Sequence, residues 1–94
     1  MVNRLEVMDH LSELTDNIEK FDLHQVIEFW ISYGIDDKPN YLVSYFDNYG
    51  NAESYVNEVV VPRRKEMELK GMPWAVYLNG ALWNFSEIDF NWED

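Results

Sequence analysis

Cysteine is absent from this 94-residue chain. That removes a disulfide framework, a thiolate metal site and a cysteine nucleophile together. Long apolar runs are missing as well, and none approaches the ~20 residues that a membrane span requires. The opening stretch MVNRLEVMDHLSEL mixes charges every few residues, unlike a signal or transit peptide. A cytoplasmic protein is therefore expected, in which the sequon Asn84-Phe85-Ser86 has no consequence. Glycine is sparse: four residues, each in a turn context, and no glycine-rich phosphate loop. The two histidines, His10 and His24, have no spaced partner ligands, which argues against a transition-metal site. DNYGN (47–51) and DFNWED (89–94) resemble fragments of a calcium loop, but the glycine is misplaced in the first and lacking in the second. No serine sits in a nucleophile elbow. His24 near Asp22, a local His–acid pair, reads as a surface or capping arrangement. With 18 acids, pairs of carboxylates carry no specificity for acid–base chemistry. Neither an enzyme nor a cofactor is expected.

Basic residues are scarce too: 7 against 18 acids, for a net charge of −11. Four of them, Arg63, Arg64, Lys65 and Lys70, fall within eight residues. The rest of the chain holds 16 acids and 3 bases, a net of −13. Phosphate binding needs a basic surface, so direct contact with DNA, RNA or an anionic membrane is disfavoured. A basic protein partner is favoured. Solubility alone is the plainer account of such a charge. The Arg63-Arg64-Lys65 cluster reads as a solvated helix face, with Lys70 set against the helix dipole. It also has the chemistry to clamp an acidic surface of a second copy in a homodimer.

What the chain does have is hydrophobic substance: 47% apolar and 16% aromatic residues, enough to build one core in a single domain spanning 1–94. Val7, Met8, Leu11, Leu14, Ile18 and Phe21 repeat at helical spacing and predict an amphipathic helix over 5–21. Residues 25–34 and 40–46 predict a strand hairpin from their density of β-branched and aromatic residues. Asp22 with Gln25 as a capping box and Gly34 as a stop support a helix over 23–33 as the alternative. Asn51 is expected to cap a helix starting at Ala52, with Pro62 kinking it or opening a second piece and Gly71 ending it. Asn79-Gly80 between two alternating runs predicts a two-residue type I′ hairpin. Ile88, Phe90 and Trp92 alternate with Glu87, Asp89, Asn91 and Glu93, which predicts a terminal strand. The fold class expected is α+β: an antiparallel sheet of four to five strands with two helices packed on one face, in the order α-β-β-α-β-β. The alternative order is α-α-β-α-β-β. Trp74, Trp83 and Trp92 are expected chiefly in the core, with Trp30 and Trp92 the two that an interface could use.

Two acidic rows stand out as candidate partner-binding surfaces. Glu6, Asp9, Glu13 and Asp16 step by three, four and three along the outer side of the first helix. Glu87, Asp89, Glu93 and Asp94, with Trp92 among them, form the second row in the tail. Repeated carboxylates on a rigid element can occupy a groove built for the phosphates of DNA, and electrostatic steering makes the encounter fast and salt-sensitive. By charge, the chain is comparable to small acidic inhibitors of the anti-CRISPR and anti-restriction kind from phages and mobile elements. The expected function is thus inhibition of a nucleic-acid-binding enzyme or nuclease by charge mimicry. An immunity protein or antitoxin against a nuclease toxin is the alternative, and a structural or assembly protein with an exposed apolar edge is the third.

Overall fold

A computed structural model describes residues 2–16 and 22–92. Helix α1 runs Arg4–Thr15. Asn3 starts it: its side-chain oxygen accepts from the N–H groups of Leu5 and Glu6, at 2.8 and 3.3 Å, supplying donors that the first turn leaves unpaired. The assignments of Ile18 and Phe21 to this helix lie outside the described residues.

Strands β1 (His24–Ile31) and β2 (Pro39–Phe46) form the expected hairpin, in unbroken antiparallel register from His24 opposite Phe46 to Ile31 opposite Pro39. The helical alternative for 23–33 is excluded. Strands β3 (Trp74–Leu78) and β4 (Ala81–Phe85) close on Asn79 and Gly80, whose φ values of 52° and 80° are those the type I′ turn demands. The sheet order is β2-β1-β3-β4, antiparallel throughout.

Helix α2 covers 49–68 in three parts: α-helical Tyr49–Tyr55, a wide π-helical turn Val56–Val60, and α-helical Val61–Glu68. Its cap is Asn48, not Asn51; the Asn48 side chain accepts from the Asn51 N–H. Pro62 has no N–H to offer, and its ring would press on the carbonyl four residues back. The turn before it widens, with Val61 N–H reaching the Val56 carbonyl. The widened turn keeps Val56, Val60, Val61 and Arg64 all buried. Gly71, at φ 86°, ends the helix as expected.

The class and the order α-β-β-α-β-β hold. The placement of both helices on one face does not. Strands β2 and β3 both run antiparallel to β1 and flank it, so the chain linking them must cross a face of β1, and α2 makes that crossing. Val26, Trp74, Val76 and Leu78 pack there against Ala52, Val56, Val60 and Val61. The opposite face of β1 is equally apolar. Ile27, Phe29 and Ile31 pack there against Val2, Val7 and Leu11 at α1. The result is three layers, with β1 buried on both sides.

The predicted terminal strand is also absent: residues 86–92 make no ladder. The tail crosses the α1 face of the sheet instead. Phe90 stacks on Phe29 with centroids 5.1 Å apart, and Trp92 on Phe90 at 5.0 Å. The Tyr33 hydroxyl donates to the Asn91 carbonyl and accepts from its N–H. Burial of two aromatic rings and a two-way hydrogen bond hold the segment without strand pairing. Ile88, expected beside them, is partly exposed.

Candidate functional site

The α1 row is built as the periodicity requires. Val7 and Leu11 are buried against the sheet, while Glu6, Asp9, Glu13 and Asp16 are all exposed. At 3.6 residues per turn, Glu6, His10 and Glu13 lie on the flank turned towards β2, and Asp9 and Asp16 on the crest. The flank is fixed by contact: the His10 ring meets the Tyr41 ring edge-on at 4.4 Å. His10 Nδ1 also lies 3.8 Å from Glu13, an ion pair when the imidazole is protonated. Burial pushes the Tyr41 hydroxyl pKa up, and the nearby Glu6 charge pushes it further. The last turn of α1 holds no base. Glu13 and Asp16 therefore face the negative end of the helix dipole, where carboxylates are unfavourable.

The tail row is split. Trp92 is half-buried on the α1 side of the sheet, and Asp89 is exposed. Glu87 lies instead at the margin of α2, where its N–H donates to Glu68 Oε1 at 3.1 Å. The same oxygen accepts from Trp74 Nε1 at 3.0 Å. Glu93 and Asp94 lie outside the described residues. The structure thus brings Trp92 to the side of the sheet that carries α1 and leaves Glu87 apart. Trp92 is engaged with Phe29 and Phe90 as part of that packing.

The basic cluster is a solvated face only in part: Arg63, Lys65 and Lys70 are exposed, whereas Arg64 is not. Arg64 is 4% exposed and Glu28 0%, and they meet beneath α2. Glu28 Oε1 accepts from Arg64 Nε at 3.1 Å and from Arg63 at 2.8 Å, and lies 3.0 Å from Arg64 Nη2. The Arg64 guanidinium lies over the Trp30 ring, 3.9 Å from its centroid, in cation–π geometry. Hydrogen bonding to Glu28 raises the Arg63 pKa, while burial lowers that of Arg64 against the pull of Glu28. Glu28 is not singled out by the sequence because an acid alternating with Ile27 and Phe29 ordinarily faces solvent. The available signal was its neighbours at two residues either way, Val26 and Trp30, which are apolar on the same face. This trio takes one acid and two bases out of 18 and 7. The rest of the molecule keeps 17 acids and 5 bases, a net of −12.

Two further features border these surfaces. Leu82 and Phe85 on β4 are 53% and 61% exposed. A groove of about 560 Å³ lies between Phe85, Leu69 and the carboxylates of Glu66 and Glu87. Trp83 donates its indole N–H to Asn57 on α2. Among the described residues, no three His, Cys, Asp or Glu side chains lie together as a metal site. Nor is any helix long and apolar enough to cross a membrane. Comparisons with protein-family models, curated proteins and solved structures give no match to this chain.

Proposed function

We propose that the chain is a small acidic binding protein that occupies a basic, nucleic-acid-binding surface of a partner protein and keeps nucleic acid from it. Phage or mobile-element inhibitors of the anti-CRISPR and anti-restriction kind act in this manner. The observation that carries the reading is the α1 row. Glu6, Asp9, Glu13 and Asp16 are exposed on a helix whose opposite side is locked to the sheet by Val7 and Leu11. Rigid placement lowers the entropy cost of presenting four charges at once. Two of the four sit against the dipole of their own helix, a placement that folding does not favour. Arg63 and Arg64, turned inward to Glu28, do little to offset the row.

The test is capture of partners from a lysate at low and high salt, with and without added DNA, read by mass spectrometry. The expected result is a nucleic-acid-binding protein or nuclease that salt or DNA strips away. The variant carrying Glu6→Gln, Asp9→Asn, Glu13→Gln and Asp16→Asn should retain it at least ten-fold less well while folding normally. Recovery of one cognate nuclease toxin assigns the immunity or antitoxin role, which shares this mechanism. A partner that survives high salt and ignores DNA refutes charge mimicry. One observation favours the assembly reading in that event: the exposed Leu82 and Phe85 side chains at the sheet edge.

A further inference from the structure

The two edges of the sheet are built differently. Strand β4 is guarded. The register slips between Val76 and Tyr77 so that Trp83 is an extra residue, and the Phe85 N–H is taken by its neighbour Asn84 Oδ1 at 2.8 Å. A bulge and a self-satisfied edge donor both obstruct the addition of another strand. Strand β2 has neither device. It pairs with β1 over eight residues with no slip. Its sequence PNYLVSYF contains no charged residue, and its one proline stands at the first position. Edge strands that must stay alone ordinarily carry a lysine, a bulge or a mid-strand proline.

The pairing pattern shows which groups face outward. The Ser32 N–H to Lys38 carbonyl bond, one pair beyond the ladder, sets the alternation of bonded and non-bonded pairs. Asn40, Leu42 and Ser44 then direct their backbone groups inward to β1, and Tyr41 and Val43 direct theirs away from the sheet. The Tyr41 and Val43 side chains lie on the α1 side, where Glu6, His10 and Glu13 form the adjoining flank. On the other side Leu42 is 40% exposed. Among the described residues no strand pairs with this edge, which is bordered by carboxylates on one side and by an apolar residue on the other.

We propose that the β2 edge together with the β2-facing flank of α1 is a docking site for an extended segment of a partner protein in which basic and apolar residues alternate. The segment adds to β2 as a fifth strand, with backbone bonds to Tyr41 and Val43. Its basic side chains point to the Glu6–Glu13 flank and its apolar ones to Leu42. The spacing fits: Glu6 to Glu13 spans ~10 Å of helix, and three alternate residues of a strand span ~13 Å. Charge complementarity selects this occupant over a second copy of the chain, because pairing β2 with β2 sets two like-charged α1 flanks of a −11 protein side by side. The proposal rests on the reading of the chain as a binder of basic proteins, and names the edge by which it binds.

A labelled synthetic peptide of alternating lysine and valine is the probe, with glutamate–valine and threonine–valine peptides as controls. Binding is followed by fluorescence anisotropy and by amide shifts of the full chain. The expected result is salt-sensitive binding of the lysine peptide alone, with shifts at 40–45 and at 6–13. Val43→Pro should weaken it at least ten-fold; this change removes an outward N–H and leaves the bonds to β1 in place. Leu42→Lys, on a partly exposed side chain, should weaken it as much, so the result does not depend on one variant folding. Shifts confined to α1, with both variants binding as the parent does, overturn the edge proposal and leave the charge reading standing. Equal binding of the threonine peptide overturns the requirement for a basic partner. A dimer by sedimentation that Val43→Pro dissociates assigns the edge to a second copy and overturns the proposal. Failure of the lysine peptide to bind overturns it as well; the lysate capture decides separately whether the charge reading falls with it.

Discussion

Replacing Glu28 by glutamine should destabilise the protein by about 3 kcal/mol, more than any surface charge in this chain could. The carboxylate is fully buried, and its Oε1 takes donors from both Arg63 and Arg64 within 3.1 Å. Glutamine keeps an oxygen in place but removes the counter-charge. Arg63, with 42% of its side chain exposed, can turn to water. Arg64, with 5%, cannot without disturbing its stacking on Trp30. Removing one partner of a buried pair costs ~3–5 kcal/mol. The Trp30 face returns part of that, since a desolvated cation–π contact is worth up to ~2 kcal/mol. The lower end of the range is thus expected. Urea unfolding followed by tryptophan fluorescence reads it directly: with an m-value of about 1–1.5 kcal/mol/M, the midpoint should fall by about 2–3 M. The double variant Glu28→Leu with Arg64→Met should lose less than Glu28→Gln alone, because it removes the stranded charge with its partner. A loss under ~1 kcal/mol for Glu28→Gln, or a double variant worse than the single, would refute the burial of this trio as described.

Three other outcomes are expected. Burial raises the pKa of Tyr77, and burial with the Glu6 charge raises that of Tyr41. The neutral phenols are thus favoured in the folded state. Their contribution is complete below the ordinary tyrosine pKa and is lost as pH rises through the raised one, so alkaline destabilisation should set in above about pH 10. Tyr41→Phe and Tyr77→Phe should each reduce it, as read by urea midpoints at pH 9 and 11. Glu13→Gln with Asp16→Asn should leave stability unchanged or raise it by a few tenths of a kcal/mol, because both acids face the negative helix end; a loss above ~1 kcal/mol would show that they hold the fold. Trp92→Ala should lower stability by ~2 kcal/mol, about half the cost of a fully buried tryptophan, since the ring is half-buried on Phe29 and Phe90. No change in the denaturation midpoint would return Trp92 to the role of a free binding anchor.

The elements most legible in the sequence are those specified by short-range chemistry. Asn79-Gly80 names its turn because two successive positive φ values suit few other pairs. The α1 spacing names its buried face for the same local reason. The layer arrangement was not legible, because it depends on strand order. HQVIEFWI has apolar residues on both sides, and its period of two points to a strand without saying that both faces are covered. Glu28 in that run looks like a solvent-facing acid until Arg63 and Arg64, some 35 residues on, are brought over it. The tail failed differently. Alternation of Ile88, Phe90 and Trp92 describes an extended backbone but not its partner, and here the partner is the face of Phe29 rather than a neighbouring strand. The helix cap slipped by three residues because Asn48 and Asn51 are both good caps, and only the contacts of the folded chain choose between them.

Helix α1 divides its work cleanly between two sets of residues. Val7 and Leu11 attach it to the sheet, and the carboxylates above them touch little of the interior. Folding and surface chemistry are therefore set by nearly separate residues along one short segment. Substitutions at positions 6, 9, 13 and 16 change what the helix presents to its surroundings at small cost to the core. A few substitutions within residues 6–16 can thus change the charge and shape that this helix presents without touching its buried side. The remainder of the domain serves as a mount for that face.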